Sequence, residues 1–343
     1  MEIRTTIKNL DNYKIYLQVE KAVHEFMEAN NYLKVDLPVL SPALIPESYL
    51  EVFETEFKFF DKREKLYLTP SPELFLKRLL AYGVGNCYYL GRAFRNSEPN
   101  SDWHNPEFTM LEFYKVGINY LQMAEEVLKL LQFINTKCHP RSSRGSSASG
   151  LDSRLRGNDI ILFDHWEKYS VAQAFKKFAK ITEKELFDEK LFFNKALKKG
   201  YNIKNATYEE IFSQLLATEI EPKLGVKGYS TLLYDYPKQM ASLAKLNDDG
   251  KTAQRCEFYI NGLEVGGFCT ELNDYQEQQK RFISEANKRK QNKMINHTID
   301  KGFIEALKYG LPFCTGAGIG FERLAMIFAG IKSIDELKLI NIS

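Results

Sequence analysis

The chain has 343 residues, 44% hydrophobic and 27% charged, with a formal net charge of +2, enough for one large or two ordinary soluble domains. That charge is too small to draw a polyanion by bulk attraction. The longest strongly apolar stretch, LAMIFAGI, is too short to span a bilayer, and the N-terminus MEIRTTIKNLDNYK lacks the apolar core of a signal peptide.

In chain order, Ile15, Val19, Val23, Phe26 and Met27 recur at helical spacing over 11–31. YLKVDLPVLSP follows as an extended segment, because Pro38 and Pro42 forbid a helix. YLEVFETEFKFF and KLYLT alternate as strands do. SPELFLKRLLAYGVG reads as a helix with Ser71 as N-cap, Pro72 at the first helical position and glycine at its end. CYYLGRAFR and FTMLEFYKVG read as the arms of a long antiparallel hairpin, and 119–135 as a helix. Residues 138–159, CHPRSSRGSSASGLDSRLRGND, are rich in Ser, Gly and Arg and hold too little apolar surface to order themselves. This segment resembles the translated product of a dispersed bacterial palindromic repeat. It stands either as a tolerated surface insertion or as a basic arm for an acidic partner or nucleic acid. Beyond it, helices are expected at 168–180, 207–218, 275–292 and 299–309, and strands at STLLYDYP, RCEFYING and LEVGGF. TGAGIGFERLAMIFAG closes the chain as a glycine-rich turn running into an apolar helix. The strands gather in hairpins rather than alternating with helices, which points to the α+β class, an antiparallel or mixed sheet flanked by helices. One domain over 1–343, interrupted at 138–159, is the expected organisation. The five cysteines are scattered without a C-x-x-C pair, so reduced thiols, a cytoplasmic setting and no zinc site are expected.

The hairpin around FRNSEPNSDWHNPEF carries Arg92 and Arg95 before its polar turn and Glu107, Glu112 and Tyr114 after it. Such a pattern suits a ligand with a phosphate at one end and an amine at the other. Gly316, Gly318 and Gly320 alternate, which lets a backbone approach a ligand closely, and Arg323 follows as a donor fork for phosphate. The alternative is a small-residue turn packing a helix onto the sheet. Glu264 and Glu271 lie on an otherwise apolar strand, where a carboxylate needs a partner or a metal; a salt bridge to lysine is the plainer account. Arg95 also reads as a surface arginine, and Glu73 as a first-turn acid favoured by the helix dipole.

FRNSEPNSDWHNPEFTMLEFY resembles motif 2 of the class II aminoacyl-tRNA synthetases. GAGIGFERLAMIFAG resembles their motif 3, and VDLPVLSP their motif 1, with Pro38 at the dimer-forming position. HNPEFTMLE and the LE…ELND pair are similar to the lysyl branch. The similarity covers nearly the whole chain apart from 138–159 and begins at the catalytic domain, with no anticodon-binding barrel ahead of it. In that it resembles the short lysyl-synthetase paralogues, the elongation factor P–lysine ligases, which SPELFLKRLLAYG, YPKQMASLAKL and EQQKRF also resemble. The resemblance implies a class II synthetase-like antiparallel sheet flanked by helices, a homodimer, and ATP bound in bent form with Mg2+. It implies Arg95 on the α-phosphate and Arg323 near the γ-phosphate, with Asn105 and Phe108 along the adenine. Asn96, Glu98, Val265 and Gly320 are further implied ATP contacts, and Glu264 is implied to hold Mg2+ and ATP. Ser71, Pro72, Glu73, Tyr114 and Glu271 are implied to face a lysine-like substrate. The expected acceptor is a lysine side chain of elongation factor P, not tRNA. A catalytic-domain-only lysyl-tRNA synthetase-like enzyme and a non-catalytic paralogue are the competing readings. The chain departs from the family pattern at Ser97, where an acid is usual, in a longer loop between Arg95 and Asn105, and at Gly267, where the family carries asparagine.

Overall fold

The computed structural model describes residues 2–97, 101–138 and 162–342. Glu98 and, except for Cys138, the segment 138–159 therefore lie outside the described residues. The described residues fall into two compact units. The first holds residues up to Gly117, Phe133–Cys138 and everything from Leu272 onward; the second holds Ile118–Gln132 and 162–271.

In the first unit the strands Leu33–Lys34, Cys87–Phe94, Glu107–Val116 and Cys314–Gly320 lie side by side in that order. The first pair is parallel and the others antiparallel. The expected hairpin is present in continuous register from Cys87↔Tyr114 to Phe94↔Glu107. Helices Leu10–Ala29, Glu73–Ala81, Tyr275–Gln291, Lys301–Gly310 and Phe321–Ala329 belong to the same unit. The apolar stripe of the first helix is buried at Val19, Val23 and Met27, as its spacing requires. Its Tyr16 ring meets Phe321 edge-on at 4.9 Å, and the helix stops before Asn31, which takes a left-handed φ of 59°. A smaller sheet orders Leu40–Ser41, Lys62–Leu68 and Phe53–Phe59.

One expectation fails here. The glycine-rich turn of residues 314–320 is a strand, paired with the hairpin so that Gly316 faces Tyr114 and Gly318 faces Glu112. Glycine is a poor strand former, but opposite Glu112 the backbone borders open space. At Gly318 an added Cβ would meet no described atom within 4 Å. The apolar helix that follows ends at Gly330, whose φ of 64° closes it.

In the second unit Leu162–Ser170, Tyr229–Pro237, Thr252–Ile260 and Leu263–Thr270 are neighbours in that order, the first pair parallel and the rest antiparallel. The helix expected from 168 begins only at Val171. Ser170 closes a capping box with Gln173, so everything before it is free to pair as strand. Helices Glu183–Phe187 and Glu189–Lys198 were not expected, although Thr182 with Glu185 forms a legible capping box and Asp188 caps the second. Their apolar faces join Tyr208–Leu215 in a core of Phe175, Phe192, Phe212 and Tyr208 packed against Leu233 and Tyr236 of the sheet. Each such buried aromatic contributes on the order of 2–3 kcal/mol. Helices over an antiparallel to mixed sheet are the α+β class that the strand pattern leads one to expect.

Candidate active site

The first unit assembles an acidic cluster. Pro72 precedes the Glu73–Ala81 helix, and Ser71 Oγ accepts the Glu73 N–H at 3.1 Å. The same Ser71 hydroxyl donates to Glu112 at 2.6 Å, and Tyr114 OH donates to the other Glu112 oxygen at 2.9 Å. Glu73 forms an ion pair one helical turn along with Lys77, whose side chain is only 2% exposed. Lys77 thus pairs with Glu73, and its charge also acts on Glu112. Burial first, and then the Glu73 charge, push the Glu112 carboxyl up to about 8; Ser71, Tyr114 and Lys77 act against that rise. Burial and Glu73 also raise Glu47, which accepts from Tyr49 OH at 2.7 Å.

The hairpin carries the arginines. Arg95 closes it through N–H to Pro106 O at 2.9 Å, and its guanidinium lies 5.1 Å from the Phe108 ring centroid. In the same turn the Asn105 Nδ2 is buried with no hydrogen-bond partner among the described residues. Arg323, on the first turn after Gly320, donates from Nε to Trp103 O at 3.1 Å and from Nη2 to His104 Nε2 at 2.6 Å. His104 Nδ1–H is then the donor to Ser101 Oγ at 3.1 Å. Glu322 ties the same helix to the hairpin, its two oxygens each accepting the Thr109 N–H at 2.9 Å. Burial raises this carboxyl despite those bonds.

In the second unit Glu264 and Val265 start the Leu263–Thr270 strand and Glu271 follows it. Glu264 and Glu271 are an odd number of residues apart, so simple alternation puts them on opposite faces. The register shifts: Tyr259 pairs with Glu264, but Phe258 pairs with Gly266, leaving Val265 as a bulge. Since cross-strand partners share a face, Glu264 joins Gly267, Cys269 and Glu271. Glu271 is 3% exposed, and Cys269 Sγ lies 3.7 Å from its Oε1. Opposite Gly267 stands Glu257, bonded by Tyr236 OH at 2.5 Å, Tyr259 OH at 2.7 Å and Arg255 at 2.7 Å.

The family described as tRNA synthetases class II (D, K and N) matches residues 2–340. The chain belongs to that family. Similar proteins include the elongation factor P–(R)-β-lysine ligase of Buchnera aphidicola subsp. Schizaphis graminum, 33% identical over 92% of this chain and 90% of that protein. The ligase of the same name from Hamiltonella defensa is 34% identical over 92% and 90%, and that from Vibrio cholerae 33% over 92% and 91%.

Within this class II chain the structure joins Ser71, Glu73 and Tyr114 in one cluster, and Arg95 with Phe108 in another. The sequence signal for Glu112 was its place in the alternating hairpin strand, and only its bonds to Ser71 and Tyr114 mark it as part of the cluster. Lys77, His104 and Glu322 carried no motif-level signal beyond helical or hairpin position. The Gly267 departure has a local reason: a Cβ there would stand 3.1 Å from Cys256 O and 3.2 Å from Glu257 Cγ. All five cysteines are free thiols. No helix among the described residues is long and apolar enough to cross a membrane.

Proposed function

We propose that this class II enzyme activates a lysine-like amino acid, of the β-lysine kind, with ATP and passes it to a lysine side chain of elongation factor P. The observation that carries this is the acidic cluster: Glu73, paired with Lys77, and Glu112, bonded by Ser71 and Tyr114, lie near the open space at Gly318. A second ammonium, from the substrate, would take the place of the proton on Glu112, whereas a neutral side chain would bring no charge to replace that proton. The names borne by relatives that align over nine-tenths of both chains support the same reading of substrate and acceptor.

In the first step a substrate carboxylate oxygen attacks the α-phosphorus of ATP. The new O–P bond forms as the bond to pyrophosphate breaks. The protein needs no nucleophile of its own, only positioning and neutralisation of phosphate charge. The proposed roles are Arg95 on the α-phosphate, Arg323 on the γ-phosphate after leaving His104, and Phe108 and Asn105 along the adenine. The partnerless Asn105 amide suits an acceptor nitrogen of a purine. Asn96, Glu98, Val265 and Gly320 are proposed as further nucleotide contacts, and Ser71, Pro72, Glu73, Tyr114 and Glu271 as substrate contacts. Among the described residues no group of three or more acids, His or Cys could cage a metal. Mg2+ takes one or two carboxylates along with phosphate oxygens, and Glu264 is proposed as one of them. Bound there, the ion would neutralise phosphate charge. In the second step an unprotonated lysine amine attacks the acyl carbon, AMP leaves, and the amine loses a proton as the amide forms. A cytoplasmic homodimer is part of the proposal.

The test is amine-dependent exchange of labelled pyrophosphate into ATP with α-lysine, β-lysine and leucine, followed by transfer of label to elongation factor P or to lysine tRNA. Exchange with β-lysine and transfer to the protein are expected. Equal activation of leucine would refute the role of the cluster. Charging of tRNA without transfer to the protein would move the assignment to a tRNA synthetase.

A further inference from the structure

The Tyr275–Gln291 helix is dense with charge, and such a helix is ordinarily solvated on most faces. Arg289 breaks that pattern, for it is 2% exposed. Its guanidinium donates to Glu47 O and Ile295 O, each at 2.8 Å, to Leu50 O, and to Glu51 Oε1 at 2.9 Å. Glu51 is held in turn by the Ile295 N–H at 3.1 Å and its neighbour Val52 N–H at 3.0 Å. One turn earlier on the helix, Glu285 accepts the Ser48 N–H at 2.9 Å. The irregular segment 47–52, whose own turn bond from Leu50 N–H to Glu47 O is long at 3.4 Å, is thus held to the helix by the Arg289 fork and the Glu285 carboxylate.

That segment carries the hairpin residue next to Arg95. Asn96 N–H donates to Glu51 O at 3.0 Å, and Asn96 Nδ2 to Val52 O at 3.2 Å. Ser97 Oγ accepts the Glu51 N–H at 3.4 Å. Arg95 is therefore fixed on one side by its own bond to Pro106 and on the other by a chain of bonds that ends at Arg289.

We infer that Arg289 is a positioning residue for the phosphate-binding hairpin, holding the 47–52 segment so that Arg95 and Asn96 meet the nucleotide in register. This rests on the adenylating reading above. Lysine cannot replace a planar fork that reaches four acceptors, and a displacement of about 1 Å in a reacting group costs roughly 100-fold in rate.

The experiment compares wild type, Arg289→Lys, Asn96→Ala and the double variant in pyrophosphate exchange, with ATP affinity measured separately by calorimetry and folding by thermal unfolding. Arg289→Lys should lower kcat by about 10- to 100-fold while the KM for the amine substrate stays within about twofold. The double variant should be little worse than the poorer single one, because both act through one segment. Additive losses, an equal rise in both KM values, or unchanged kcat in folded Arg289→Lys would overturn the inference. Should Arg289→Lys unfold, Glu51→Gln, which keeps the shape and removes the charge, takes its place in the cycle with the same expectations. A wild type that binds ATP but activates no lysine-like amine would refute the function above. The ATP affinities then decide the present inference, which requires a loss shared non-additively by the two variants. A wild type that binds no ATP would overturn both.

Discussion

Replacing Glu112 by Gln should change both the pH dependence of stability and the way the amine substrate binds. Glu112 is 5% exposed and its carboxyl is raised from 4.5 to about 8, by burial and then by Glu73. Facing it are Glu73 and Lys77 on the helix, Ser71, Tyr114 on its own strand, and Cys87 on the next, whose thiol burial and Glu112 push up to about 12. Between pH 4.5 and about 8 the folded protein keeps a proton that the unfolded chain has released. Stability contributed by the protonated group is therefore full below the lower value, falls as pH rises through the window, and levels off above it. The fall is on the order of a few kcal/mol. Glutamine can retain the local bonds, accepting from Tyr114 OH and donating to Ser71 Oγ. Urea unfolding from pH 5 to 9 should show the fall in wild type and a flatter profile in Glu112→Gln. Calorimetry at pH 7 in buffers of different ionisation heat should show proton release when the wild type binds the amine, and none in the variant. Equal pH slopes in the two proteins, or no proton release from the wild type, would refute the reasoning.

Arg95→Ala and Arg323→Ala should each remove a charge-assisted contact worth about 1.5–3 kcal/mol, seen as roughly a 10- to 100-fold or greater loss of pyrophosphate exchange with unchanged thermal unfolding; Arg95→Lys should rescue poorly. Gly267→Ala places a Cβ 3.1 Å from Cys256 O and 3.2 Å from Glu257 Cγ, and should destabilise by about 1–3 kcal/mol in urea titration. Ser170→Ala removes one half of a capping box and should cost about 1 kcal/mol by the same measure, with pyrophosphate exchange intact at 25 °C.

Periodicity and turn chemistry alone located most of the helices, the long hairpin and the α+β class, because those signals lie within a few residues of each other. The arginine hairpin, Arg323 and the acidic positions were legible for the same reason, as short runs of unusual residue types. What the sequence could not show depends on partners far apart in the chain. The glycine run at 314–320 reads locally as a turn, and its pairing with Glu107–Val116 makes it a strand with room at Gly318, opposite Glu112. Lys77 and Arg289 look like surface cations of charged helices until burial ties one to Glu73 and the other to the 47–52 segment. Alternation separates Glu264 from Glu271, and only the bulge at Val265 turns both to one face. A bulge is set by the register of the partner strand, and burial by what packs on top. Neither is a property of a local window, so both belong to the tertiary structure.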